Sequence, residues 1–353
     1  MRNLFGFMCV LALGVMGCSE TAGTSGGGGS AGTGGTAGDG GSAGEGGEGG
    51  STEAIEWIAG IDFRVGVSSS ENSDILYLTE SDLDEYKPAY SPDGSKIVFF
   101  RALEYGDGHV VHWKSQVFVM NADGSDVRQL TGGDFMDFNP MWTRDGSNRI
   151  TFTRFGPTAS AEGVVPSGMW IYRTSPDADI GDEELISDPA QFEMGYSSLK
   201  DGRMLVRREI AQKYFLLTPN STGTPQYQEL NYPFENTYLH KMTVSHSETK
   251  LAYMKVENFK DLDGLTKDAY GPAVIAYADF DADALSIENE VEITEYDESK
   301  TSWYPSWDPD EQFIIYAHSG VINAYFLDTG ETTQISSHDD LEYRYPNVVG
   351  SVK

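Results

Sequence analysis

Six histidines, two cysteines and 55 acidic side chains make up the chain's stock of reactive groups. Two of the histidines, His109 and His112, stand three apart in GDGHVVHWKS. On a strand that spacing sends the two rings to opposite faces, so the pair reads as a surface loop and not as a metal site. His240 is placed differently: it lies two residues before the point where related stretches of the chain carry a proline. Asp279, Asp281, Asp283 and Glu290 imitate the spacing of a calcium loop, but Ala284 stands where that loop turns on a glycine. Asp177-Ala-Asp179 and Asp261-Leu-Asp263-Gly264 are similar. All three read as solvated turns. The chain has no Gly-x-Ser-x-Gly, no His-Glu-x-x-His and no cysteine pair for zinc. No cofactor is expected.

The charge balance narrows the partners. With 24 basic residues against 55 acidic ones the formal net charge is −31. Such a surface repels nucleic acid and anionic lipid headgroups, and serves solubility or a cationic partner.

The elements that must position these groups begin after a leader. Residues 1–17 combine Arg2, an apolar run from Leu4 to Met16 and a small Gly17, which predicts a secretory signal too short to span a bilayer. Val15-Met16-Gly17-Cys18 resembles the bacterial lipobox, and by that resemblance Cys18 becomes the lipid-bearing N-terminus of the mature chain. Cys9 is removed with the signal, so Cys18 has no disulfide partner. Ser19 after it points to the outer membrane under the sorting rule of Gram-negative lipoproteins. Residues 18–52 are then a Gly/Ser-rich tether with no large apolar residue, reaching ~30 Å as a flexible coil.

Residues 53–353 form the folded part, and a motif recurs through it. YKPAYSPDGSKIVFF (86–100) returns as FNPMWTRDGSNRITFTR, GYSSLKDGRMLVRRE, VSHSETKLAYMK and WYPSWDPDEQFIIYAH. Aligned on the turn position, the copies fall at Asp93, Asp145, Asp201, Ser247 and Asp310, with Ser351 in RYPNVVGS as a sixth. Each is an extended piece, a turn and a β-branched or aromatic run. Ser91-Pro92-Asp93-Gly94 suits a type I turn with a bulge, and Asn121-Ala122-Asp123-Gly124 closes a second hairpin. A period near fifty of all-β units predicts a stack or ring. The last copy stops after RYPNVV, while IDFRVGVSSS and DILYLTES near the start supply a second and a third strand. The expectation is a closed, six-bladed β-propeller of four-stranded antiparallel blades.

These motifs resemble the TolB-like β-propeller repeat, a WD40-like unit. Phe118 to Gly124 and Gln129-Leu130-Thr131 carry its second half, and Pro140-Met141-Trp142 and Pro305-Ser306-Trp307 its first. The third and fourth copies depart from it, lacking the proline and tryptophan at Tyr196 to Leu199 and Met242 to Ser245. The TolB protein itself has an α/β domain ahead of its propeller; here the tether stands in that place.

In such a propeller the first strands approach the central channel. Tyr86, Phe138, His240, Trp303 and Arg344 share one position there (with Met194), and Lys87, Lys241, Tyr304 and Tyr345 follow them. This mixed aromatic and cationic set suits a peptide segment or an anionic sugar. The reading is a monomeric, non-catalytic binding or scaffold module, anchored by lipid to the outer membrane on its periplasmic or outer side, with an envelope protein or peptide as partner. The alternatives are a lyase-like propeller acting on acidic polysaccharide through its channel, and a purely structural acidic bead.

Overall fold

A computed structural model describes residues 55–353, except 62–63, 72–73, 106–111, 161–162, 221–222, 234–236, 257–272, 296–301, 337–342 and 349–353. The signal, Cys18, the tether, His109, Asp261 and Asp263 lie outside the described residues. Every regular element described is a strand. The chain order begins with β1 (Glu56–Ile61), β2 (Arg64–Ser69), β3 (Leu76–Tyr77), β4 (Glu85–Tyr90), β5 (Lys96–Tyr105), β6 (His112–Asn121), β7 (Arg128–Gln129) and β8 (Met136–Trp142). It continues with β9 (Ile150–Ser160), β10 (Gly163–Thr174), β11 (Glu184–Leu185), β12 (Glu193–Ser198), β13 (Met204–Arg208), β14 (Lys213–Thr218), β15 (Gln226–Glu229) and β16 (Tyr238–Val244). The last are β17 (Lys250–Val256), β18 (Val274–Asp281), β19 (Ser286–Glu292), β20 (Ser302–Trp307), β21 (Phe313–His318), β22 (Val321–Phe326), β23 (Thr332–Gln334) and β24 (Tyr343–Val348).

The strands pair into small antiparallel sheets in meander order. Four sheets have four strands: β12 to β15, β16 to β19, β20 to β23, and β24-β1-β2-β3. β4 to β11 form one eight-stranded sheet, in which the two meanders meet through a single parallel pairing, Ser115 with Met136. The last strand is therefore paired with the first, Trp57 facing Val348 and Ile61 facing Tyr343.

That pairing corrects the strand assignment made from sequence. The second strand of this sheet is β1, EWIAGI, and IDFRVGVSSS is divided between β1 and β2, with Ile61 paired to Arg64. The start of the chain supplies three strands to the sheet instead of two. Trp57, Ile58, Ala59 and Ile61 are fully buried there, on both faces of the sheet.

Burial on both faces explains why the strands read as continuous apolar runs and not as alternating ones. Ile58 and Val65 of one sheet pack on Ile97, Phe99, Phe118 and Met120 of the next. Val98, Val117 and Val119 pack on Trp142, Ile150 and Phe152, and Trp57 and Ala59 on Phe313, Ile315 and Ile322. The tryptophans of the repeat tie neighbours together: Trp142 Nε1 donates to the Ala89 carbonyl (3.0 Å) and Trp307 Nε1 to that of Thr243 (2.9 Å). The turn reading holds in detail. Gly94 takes φ 70°, its N–H donates to the Ser91 carbonyl, and Asp93 Oδ1 accepts from the Ser95 N–H. Asp123, Asp145 and Asp201 repeat the same bond to the residue two ahead.

A second repeated device was not foreseen. Glu85 faces Arg101 across β4 and β5, Asp137 faces Arg154 across β8 and β9, and Glu193 faces Arg208 across β12 and β13. Each acid is fully buried and bonded to its arginine, the Asp137–Arg154 pair through two 2.7 Å bonds. Each guanidinium also lies over aromatic rings, that of Arg154 4.6 Å from Phe135 and 4.7 Å from Tyr172.

Candidate functional site: a cationic pocket ringed by left-handed bulges

Six strands touch one another in succession: β24 with β4, β4 with β8, β8 with β12, β12 with β16, β16 with β20, and β20 with β24. Five of them carry the same irregularity. In β4 the pairing with β5 runs Tyr86–Phe100, then Ala89–Val98, so Lys87 and Pro88 stand opposite Phe99 alone. Asn139-Pro140, Lys241-Met242, Tyr304-Pro305 and Tyr345-Pro346 form the same two-for-one bulge. The first residue of each is left-handed, with φ of 50°, 56°, 52°, 57° and 53° in chain order. None of the five is glycine; that conformation costs Lys87, Lys241, Tyr304 and Tyr345 about 1–2 kcal/mol each, and Asn139, whose short amide tolerates it, less. Proline at the second place makes no demand on the ladder, because a bulge leaves that place unpaired. The exception is β12, where Tyr196 alone is inserted between Gly195 and Ser197.

The bulges re-aim side chains into a cavity of about 160 Å³ lined by residues of all six of these strands. Lys87, Tyr196, Lys241, Tyr304 and Tyr345 line it, together with Pro88, Pro140, Pro305 and Pro346. Tyr304 and Tyr345 stack with ring centroids 3.7 Å apart, and the Lys241 ammonium sits 5.2 Å and 5.6 Å from their centroids. Lys87 is half-buried and donates to Asn139 Oδ1, while Asn139 Nδ2 donates to the Gly195 carbonyl. Lys241 is 9% exposed. Burial lowers the Lys87 pKa to about 7. Burial, then the charge of Lys87, holds Lys241 well below the usual lysine range. No Asp or Glu lines the cavity, and among the described residues neither lysine has a carboxylate within ion-pair distance. Arg144 also lines it, but its guanidinium is already donating to the carbonyls of Val244, Ser245 and His246.

The sequence-derived set thus divides in two. Lys87, Lys241, Tyr304 and Tyr345 meet at the cavity. Tyr86, Phe138 and His240, one residue earlier, are buried in the core behind it, and half-buried Trp303 packs on Tyr304 at 5.7 Å. Arg344 holds the equivalent backbone position in β24; its side chain lies outside the described residues. His240 Nδ1 is 3.0 Å from the hydroxyls of both Tyr196 and Tyr238. Burial, then the charges of Lys241, Arg207 and Lys87, keeps its imidazole neutral at pH 7. Tyr196 escaped the sequence reading because its repeat lacks the proline that marks the others.

The calcium-like spacing does not gather its carboxylates. Asp279 bonds Lys250 and Asn289, Asp281 caps its own turn, Asp283 pairs with Arg203, and Glu290 takes Tyr253 and Lys255. Among the described residues no three His, Cys, Asp or Glu side chains converge.

No protein-family model and no curated protein matches the chain at the level of sequence. Solved structures do match it. TolB from Acinetobacter baumannii superposes with a TM-score of 0.58 at 14% identity, over 84% of this chain and 67% of that one. The fold is a TolB-like β-propeller. Kuenenia stuttgartiensis hydrazine synthase (TM-score 0.59, 13% identity, 84% of this chain) and a Mycobacterium tuberculosis puromycin-hydrolyzing peptidase (0.50, 12%, 81%) also superpose on it. The chain spans 46% and 44% of those two proteins. Identities this low carry the fold and not the activity.

Proposed function

We propose that this chain is a lipid-anchored envelope protein whose TolB-like propeller is a binding or scaffold module, with the axial pocket as its binding site. The ring is read as six blades: dividing the eight-stranded sheet at Ser115–Met136 gives two, and the β24–β1 pairing makes the sixth. The observation that carries the reading is the set of five left-handed, non-glycine bulge residues, four of which (Lys87, Lys241, Tyr304 and Tyr345) line one cavity, with Pro140 of the fifth bulge beside them. Strain of this kind persists where the surrounding fold over-determines it, and it gathers at ligand clamps. An anchor at Cys18 and a tether of about 33 residues would hold the module at an r.m.s. distance of ~30 Å from a membrane, in keeping with a partner in the envelope. The lyase-like alternative draws no support from His240, whose ring lies behind the pocket wall between Tyr196 and Tyr238.

A photo-crosslinking residue placed at Asn347, on the pocket lining, or at Thr333, exposed on the outer strand β23, tests the reading in envelope extracts of the producing cell. A discrete adduct from Asn347 alone is expected. Equal adducts from both positions, or none from Asn347, would contradict a binding role for the pocket. Metabolic labelling with an alkyne-bearing fatty acid, lost in Cys18→Ser, tests the anchor.

A further inference from the structure

We infer that the axial pocket binds a carboxylate group, received between the ammoniums of Lys87 and Lys241 and walled by the stacked Tyr304 and Tyr345; this rests on the reading of the pocket as the binding site.

Charge placement points to an anion. The chain carries more than two acids for every basic residue, and among the described residues most of its other cations use them, the partly or fully exposed Arg64, Lys96 and Lys200 excepted. Lys114, Lys213, Lys250 and Lys255 each have a carboxylate within 3.2 Å. The three cross-strand arginines Arg101, Arg154 and Arg208 each hold a buried acid. At the axis, by contrast, two lysines meet without one, in a cavity whose lining contains no acid at all. One of them, Lys241, is nine-tenths buried. A buried cation is tolerated when it is paired, so these two are arranged for a negative charge that the chain itself does not supply.

The surrounding groups narrow the kind of anion. Phosphate sites add bidentate arginine forks or converging backbone N–H groups to any lysine they use. Here the one guanidinium, that of Arg144, is occupied by three carbonyls. Two ammoniums supply charge and donors for a single planar carboxylate. The tyrosine stack and the prolines Pro88, Pro140, Pro305 and Pro346 offer apolar surface to the carbon it is attached to. A cavity of about 160 Å³ admits a carboxylate with a few atoms beyond it. The group is therefore either a small free acid or the terminal carboxylate of a peptide.

Isothermal titration of the purified full chain at pH 6.5 with propionate, with the tripeptide Gly-Gly-Phe and with its C-terminal amide tests this. Saturable 1:1 binding of at least one acid is expected, with the amide at least tenfold weaker than the tripeptide acid if that acid binds. Lys241→Met and Lys87→Met should each weaken binding at least tenfold while retaining a cooperative unfolding transition. Tighter binding of propionate would assign the site to a free acid, and tighter binding of the tripeptide to a chain terminus. No binding of either acid, tighter binding of inorganic phosphate, or unchanged affinity in both folded variants would overturn the inference. If the acids fail while the Asn347 adduct persists, the pocket remains the binding site and only the carboxylate chemistry is lost.

Discussion

Lys241 should cost the unliganded protein stability, and removing its charge should restore it. The side chain is 9% exposed, and among the described residues no carboxylate pairs with it. The faces of Tyr304 and Tyr345 offset about 1–2 kcal/mol of the missing hydration. Lys241→Met keeps most of the stem and its packing against those rings, and drops the charge. Replacing a buried ionic group by an apolar one of similar volume is neutral or stabilising by up to about 4 kcal/mol. After subtracting the cation–π attraction that only the ammonium provides, a net gain of about 1–2 kcal/mol is expected. The sign of the pH dependence follows from the depressed pKa. The folded state holds fewer protons than the unfolded state, so the wild-type protein gains stability as pH rises toward the unfolded lysine value of about 10.4. The cost is complete below the folded pKa and gone above the unfolded one. The advantage of the variant should therefore be largest at pH 6 and should shrink by pH 10. Urea unfolding followed by tryptophan fluorescence, in buffers free of carboxylate, measures it, and an unchanged m-value confirms that the denatured state is comparable. A variant less stable than wild type at pH 6, or an equal gain at both pH values, would refute the reasoning.

Two further predictions concern the frame that holds the pocket. Gly124 and Gly146 both have positive φ, 84° and 77°, but a Cβ on Gly124 would lie 2.7 Å from the Leu78 carbonyl oxygen, whereas one on Gly146 meets nothing within 4 Å. Gly146→Ala should cost about 1 kcal/mol from backbone strain alone, and Gly124→Ala clearly more, as read from urea midpoints. Arg154→Met strips the fully buried Asp137, and Glu183 at 3.3 Å, of their shared cation and should destabilise by about 3–5 kcal/mol; adding Asp137→Leu should recover part of that loss in the same assay, the part owed to Glu183 remaining.

Much of this was legible in the sequence because the repeat states it several times. The hairpin turns were readable from Ser91 to Gly94 and Asn121 to Gly124, where proline, aspartate and glycine occupy positions with known demands. The first strand of the chain was misplaced by one element because Asp62-Phe63 carries no glycine or asparagine to announce a hairpin. The site was read one residue off in part. The period-two rule sends successive side chains of a strand to its two opposite faces, but a left-handed bulge turns Lys87, Lys241, Tyr304 and Tyr345 into the cavity and leaves Tyr86 and His240 before them in the core. Nothing intrinsic to lysine or tyrosine predicts that conformation. The recurring proline after Lys87, Asn139, Tyr304 and Tyr345 was the available signal. The buried acid–arginine pairs had visible spacing too, yet their meaning depends on cross-strand register, which the sequence alone does not fix.

The central claim is that the axis holds two lysines whose charge the protein does not neutralise. Titration of the full chain labelled with ¹³C at the lysine ε-carbons, followed by NMR from pH 5 to 11, tests it most directly. The account predicts one resonance with a midpoint near 7, absent from Lys87→Met, and a second with a midpoint well below 10, absent from Lys241→Met. If every lysine titrates above pH 10, the axial ammoniums are paired or hydrated, and the pocket is not the anion site described here.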